Sequence, residues 1–150
     1  MSKICFLFGH SELYENIVPR LVEAITRHYE DYGVRQFIVG HYGSFDAQAA
    51  QALRIVKQSH PDITLRLLLP YHPAERPIPT PEGFDHTYYP DEMERVPRRF
   101  AIVRANRLMI SCAHSVICYV KYIGNTQNLL HYAKHRTKTN NMICENLATN

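Results

Sequence analysis

Phe37-Ile38-Val39-Gly40-His41-Tyr42-Gly43-Ser44-Phe45-Asp46 is an apolar run, a two-glycine loop and the start of a helix, in that order. A strand that turns through glycines into a helix aims backbone N–H groups at one point. The helix N-terminus behind them adds partial positive charge, so the stretch reads as a site for an anion, most often a phosphate. Two further apolar runs end similarly. Ile4 to Phe8 precedes Gly9-His10, and Val116 to Val120 precedes Gly124-Asn125-Thr126. Three glycine-marked strand ends imply one ligand site along a single edge of a sheet.

The rest of the chain fits around these runs. Lys3 to Phe8, Arg35 to Val39, Ile63 to Leu69 and Ser115 to Val120 are short and continuously apolar, as strands buried on both faces are. Leu13 to Tyr32 carries Leu13, Ile17, Leu21, Val22, Ile25 and Tyr29 at helical spacing, with Gly33 as its stop. Phe45 to Ser59, Arg98 to Cys112 and Asn125 to Arg136 are the other expected helices, and Asn141 to Cys144 is a candidate short strand. Seven of the nine prolines fall between Pro70 and Pro97, which excludes a long helix or central strand there. His86 to Tyr89 is the one candidate extended piece in that loop. Strands alternating with helices predict an α/β, Rossmann-like three-layer sandwich with a mainly parallel sheet, in one domain over residues 1–150. Ligands of such folds bind beyond the carboxyl ends of the strands, where all three glycine loops fall.

Composition narrows the class. A chain of 150 residues with 45% hydrophobic and 21% charged residues can bury a proper core, and a net charge of +3 suits an anionic small molecule without demanding one. Cys5, Cys112, Cys118 and Cys144 form no CxxC and no zinc spacing, so no metal is expected. Cys5 and Cys118 lie in expected core strands and read as buried thiols of a reducing compartment. No apolar run reaches membrane-spanning length, and Met1-Ser2-Lys3 leads straight into a strand without a signal peptide. The expected location is the cytoplasm. No resident cofactor is expected.

Each candidate residue has a plainer reading beside it. Gly40, Gly43 and Ser44 would contact phosphate or ribose, and Asp46 would bind ribose hydroxyls. Alternatively, the glycines allow a tight turn, while Ser44 caps the helix and Asp46 suits its dipole. Gly9-His10 is a shorter version, with His10 against a phosphate or as an acid or base. Asp46 and His10 are the only catalytic candidates. Arg104 and Arg107, three apart on one helical face with Asn106 between, suit a phosphate or sugar, unless they form a solvated face. Gly124, Asn125 and Thr126 open the last helix, where a side chain caps it or its free N–H groups hold an anion. A nucleic-acid module, of which single-stranded nucleic acid would be the partner, is the weaker class. It would want a basic stripe, and Lys and Arg are dispersed apart from Arg95, Arg98, Arg99, Arg104 and Arg107.

Cys5-Phe6-Leu7-Phe8-Gly9-His10, Gly40-His41-Tyr42-Gly43-Ser44-Phe45-Asp46, Arg104-Ala105-Asn106-Arg107-Leu108-Met109, Val116-Ile117-Cys118-Tyr119-Val120 and Gly124-Asn125-Thr126 occur in that order. The ordered set resembles the SLOG superfamily, the Rossmann-like group that includes the Lonely-guy phosphoribohydrolases and the Smf DNA-processing proteins, and among these its small bacterial members. The resemblance implies a nucleotide-derived ligand at the strand C-termini and frequent self-association into homo-oligomers. The hydrolase branch carries Pro-Gly-Gly-x-Gly-Thr-x-x-Glu, whereas this chain reads Tyr122-Ile123-Gly124-Asn125-Thr126-Gln127-Asn128-Leu129. The paired glycines and the catalytic Glu are missing. The expectation is therefore a nucleotide-binding or sensing protein, with N-glycosidic hydrolysis as the alternative.

Overall fold

Each core strand alternates its side chains between two hydrophobic cores, and that alternation makes the three layers. The computed structural model describes residues 2–149. Its strands are β1 (Lys3–Gly9), β2 (Val34–Val39), β3 (Thr64–Leu68), β4 (His86–Tyr88), β5 (Ser115–Tyr119) and β6 (Ile143–Asn146). Its α-helices are α1 (Val18–Tyr32), α2 (Ser44–Ser59), α3 (Ala101–Cys112) and α4 (Asn125–Asn140). Cys5 and Leu7 of β1, Phe37 and Val39 of β2, and Ile117 of β5 point to a core shared with Leu21 and Ile25 of α1 and Phe45 and Leu53 of α2. Phe6 and Phe8, Ile38, Val116 and Cys118 point to the opposite core, with Ala105 and Met109 of α3 and Leu129 and Ala133 of α4. A period of two along the strand is what separates the layers.

The sheet has six strands in the order β4-β3-β2-β1-β5-β6, and every pair is parallel. The chain winds outward from β1 to β4, returns to the far side of β1, and continues through β5 to β6. Strand order therefore reverses between β1 and β5. The carboxyl ends of these two strands, Gly9 and Tyr119, are in register with each other. They mark the switch point where open α/β sheets form a ligand crevice.

Several boundaries differ from the sequence reading. The first helix begins at Val18, with Pro19 in its first turn, rather than at Leu13. Leu13 N–H donates to Ser44 Oγ at 2.6 Å and Ile17 N–H to Gln48 Oε1 at 2.7 Å, so tertiary partners hold residues 13–17 out of the helix. The last helix runs on to Asn140, and β6 is displaced to Ile143–Asn146 because Asn141 takes a left-handed C-cap at φ 57°. The proline-rich stretch contributes β4 at the sheet edge and two 3₁₀ turns, Asp91–Arg95 and Arg98–Phe100. Asp85, one of the acids near a loop end, anchors it: its Oδ2 accepts from Lys57 Nζ at 2.6 Å and from Leu65 N–H at 2.8 Å.

A polar chain crosses the α1 core near the start of β5. His28 Nδ1 meets Ser115 Oγ at 2.9 Å and His28 Nε2 meets Glu145 Oε1 at 3.0 Å. It is a Ser–His–Glu series that no spacing disclosed. The ring is turned the opposite way from a nucleophile triad, whose serine faces Nε2. His28 is 0% and Ser115 1% exposed, and the neighbouring Cys5 thiol is pushed up to about 12 by burial. The series is structural. Burial lowers the His28 pKa, against the opposing pull of Glu145. The folded protein thus holds a neutral ring that the unfolded chain protonates near pH 6.5. The stability this gives is present above about pH 6.5 and lost as pH falls towards the lower folded value. Burial lowers His10 and His41 in the same sense. Urea unfolding from pH 7.5 down to 5 should show falling stability in the wild type and a shallower fall in His28→Gln. Parallel pH profiles would contradict the assignment.

Candidate functional site

The Gly9 and Gly43 loops are locked to each other before they are available to anything else. Ser44 N–H and Ser44 Oγ both donate to Ser11 O at 2.9 Å, and Phe45 N–H donates to His10 O at 3.3 Å. Gln48 Nε2 donates to Glu15 O at 2.8 Å, completing the seam between the β1–α1 loop and the first turns of α2. The approach is close. A Cβ on Gly43 would lie 2.5 Å from Ser11 Cα, and one on Gly9 would lie 2.4 Å from Phe45 Cγ. Both glycines serve packing. The N-cap of α2 is Gly43 rather than Ser44, whose hydroxyl turns back to the neighbouring loop. The N–H groups of Ser44 and Phe45 are thereby spent inside the protein rather than left free for an anion.

The N-terminus of α4 is in the opposite condition. Gly124, at φ 151°, sets up the first turn, and its carbonyl accepts from Gln127 and Asn128. No side chain caps the helix. Neither Asn125 nor Thr126 therefore caps it, and their N–H groups have no hydrogen-bond partner among the described residues. Unspent N–H groups with the helix dipole behind them attract anions.

Three adjoining depressions share Asn125. The smallest, about 140 Å³, is narrow and brings Gly9, Gly43 and Asp46 to face Asn106, Asn125 and Thr126. The second, about 460 Å³, joins His10 and the β1–α1 loop to Tyr122 and Gly124. The third, about 760 Å³, is open and lined by Phe100, Arg104 and Arg107. Gly9, Gly43 and Gly124 thus border one continuous crevice at the switch point. Gly40 lines none of the three; it leaves room for the Asp46 carboxylate, whose Oδ2 would stand 3.1 Å from a Cβ there. Arg104 and Arg107 flank the crevice rather than enter its narrow part, and the Arg107 guanidinium lies over Tyr132 at 4.4 Å. Asn106, half-buried and one turn from the buried Ile110, is the residue of that motif which lines the narrow part.

Burial shifts the titration of two groups at the crevice, His10 and Asp46. His10 Nε2 accepts from the N–H groups of Lys121 at 2.8 Å and Tyr122 at 3.1 Å, and its ring lies 5.1 Å from that of Tyr122. Burial lowers its pKa, and accepting both bonds fixes the neutral form. It ties β5–α4 to β1–α1, with only Nδ1 free for other work. Asp46 behaves differently from the dipole expectation. Burial pushes its carboxyl up to about 6, outweighing the 2.9 Å hydrogen bond from Tyr42 N–H. A first-turn carboxylate is stabilised by the dipole only while water reaches it.

Among the described residues, no group of three His, Cys, Asp or Glu is placed to hold a metal ion, and no helix is long and apolar enough to cross a membrane. No protein-family model matches the sequence, and no curated protein matches it. Among solved structures, the fold is similar to that of the molybdenum cofactor binding protein from the phototrophic bacterium Rippkaea orientalis. The TM-score is 0.58 at 10% identity, over 97% of this chain and 89% of that one. That likeness establishes the architecture: a Rossmann-like α/β sandwich around an all-parallel sheet.

Proposed function

We propose that this chain is a SLOG-type protein that binds a nucleotide or nucleotide-derived molecule at the β1/β5 switch point, in a binding or sensing role. The observation that carries the reading is the uncapped N-terminus of α4, with two unpartnered N–H groups beside Arg104 and Arg107. A phosphate group there would satisfy both N–H groups and meet a guanidinium. The sugar and base would extend into the adjoining depressions, towards Asp46 and Asn106 or towards Tyr122. The similarly folded protein binds a molybdenum cofactor, which supports a small-molecule ligand in general. Self-association in the cytoplasm, which the SLOG resemblance implies, belongs to the same proposal.

A second reading, N-glycosidic hydrolysis, has one observation in its favour. A carboxyl with a pKa of about 6 inside a narrow cavity is poised for proton transfer near neutral pH. Against it, no Glu follows Thr126, and the other carboxylates of the crevice, Glu12 and Glu15, line the depression beside Tyr122 rather than the narrow one that holds Asp46. Purified protein incubated with nucleoside monophosphates should show a thermal shift and no free base by chromatography. Base release at enzymatic rates, abolished in Asp46→Asn, would replace binding with hydrolysis.

A further inference from the structure

The charges are segregated by layer. Between Arg95 and Cys144 the sequence holds nine of its seventeen Lys and Arg and none of its fourteen Asp and Glu. That span contains α3 and α4, which cover one face of the sheet, while α1 and α2 cover the other. The 3₁₀ turn before α3 joins the same layer, because Met93 packs into the α3–α4 core. The whole-chain charge of +3 therefore conceals a strongly cationic face and an acidic remainder. The apparent dispersal of Lys and Arg along the sequence is a stripe in space.

Six of these nine cations are unspent, while Arg98 and Lys121 pair with Glu75 and Glu15 and Arg136 bonds Ser111 O. Arg95, Arg99, Arg104, Arg107, Lys134 and Lys138 are exposed and have no carboxylate partner among the described residues. On the acidic side Arg27, Arg35 and Lys57 are each paired with a carboxylate. The stripe runs from the crevice, where Arg99 and Arg104 flank Phe100, down the outer side of α4, a length of about 24 Å. Phe100 is 49% exposed, with the Arg99 guanidinium 4.8 Å from its ring centre.

We propose that the outer surface of the α3–α4 layer docks single-stranded nucleic acid. Arg104, Arg107, Lys134 and Lys138 would track the phosphates, and Phe100 would offer a ring to a base. Charge complementarity favours a polyanion, because neither α3 nor α4 carries an acidic residue and Asp91, Glu92 and Glu94 are confined to the 3₁₀ turn that precedes them. The exposed positions of α4, including His131, Lys134, His135 and Lys138, present no apolar strip. α4 therefore offers a bilayer nothing to insert, and the exposed apolar residues of the layer, Phe100, Ile102 and Val103, lie at the start of α3 beside Arg99 and Arg104. Cations beside an exposed aromatic ring are what single-stranded binding uses.

The test is fluorescence anisotropy of a labelled single-stranded DNA of about 20 nucleotides with the full chain. Four phosphate contacts predict affinity falling about fifty-fold between about 50 and 200 mM salt. Lys134→Glu/Lys138→Glu should weaken binding at least tenfold. Both positions lie outside the crevice, so its thermal shift with AMP should match that of the wild type and the two proposals can fail separately. The proposal is overturned by any of four results: no binding at about 50 mM salt, unchanged affinity in the variant, equally effective competition by polyglutamate, or equal or tighter binding of duplex DNA of the same sequence.

Discussion

Gly43→Ala is expected to cost about 3 kcal/mol or more of stability, lowering the Tm by roughly 6–12 °C for a chain of this size. The added Cβ would meet Ser11 Cα at 2.5 Å, a backbone atom with nowhere to go. Ser11 O holds two bonds from Ser44, and Leu13 N–H holds a third, so relief would break the seam between two loops. Gly43 itself has extended backbone at φ −179°, so close approach rather than conformation is the reason for glycine. Gly33→Ala is the control. Its φ of 73° is strained for alanine, but nothing lies within 4 Å, and it should cost only about 1 kcal/mol. Equal losses of stability in thermal or urea unfolding would contradict this account of Gly43.

Arg104→Ala/Arg107→Ala should reduce affinity for AMP about a hundredfold while leaving stability within about 1 kcal/mol of wild type. Each charge-assisted hydrogen bond to a phosphate contributes roughly 1.5–3 kcal/mol, and losing both sums to a factor of about 10² or more. Both side chains are exposed and have no carboxylate partner among the described residues, so folding spends little on them. The measurement is calorimetric titration of AMP into both proteins. Unchanged affinity would place the phosphate away from α4.

Much of the fold was legible because the core strands are short, apolar and bounded by glycine or proline. The alternation of Cys5 and Leu7 against Phe6 and Phe8 is invisible in an all-apolar run, yet it sets the layers. Residues 13–17 misread as helix because Leu13 and Ile17 have helical spacing; Ser44 and Gln48, more than thirty residues away, take their N–H groups. The same seam hid the difference between the two glycine loops. A glycine that permits close packing and one that shapes a free helix end look alike in sequence, and only partners distinguish Gly43 from Gly124. Asp46 was misjudged for a related reason. Its first-turn position was readable, but its burial came from tertiary packing. Of the basic stripe, Arg95, Arg98, Arg99, Arg104 and Arg107 stand out in sequence, whereas Lys134 and Lys138 sit on a separate helix that only the α3–α4 packing brings alongside.

The central claim is that the ligand's anionic group sits on the N-terminus of α4. Titration of ¹⁵N-labelled protein with AMP tests it most directly, because amide shifts report which N–H groups gain an acceptor. The account predicts the largest changes at Asn125 and Thr126, with Ser44 and Phe45 little affected because their N–H groups are already bonded to Ser11 and His10. Changes centred on Ser44 and Phe45, or none at α4 under saturating AMP, would contradict it.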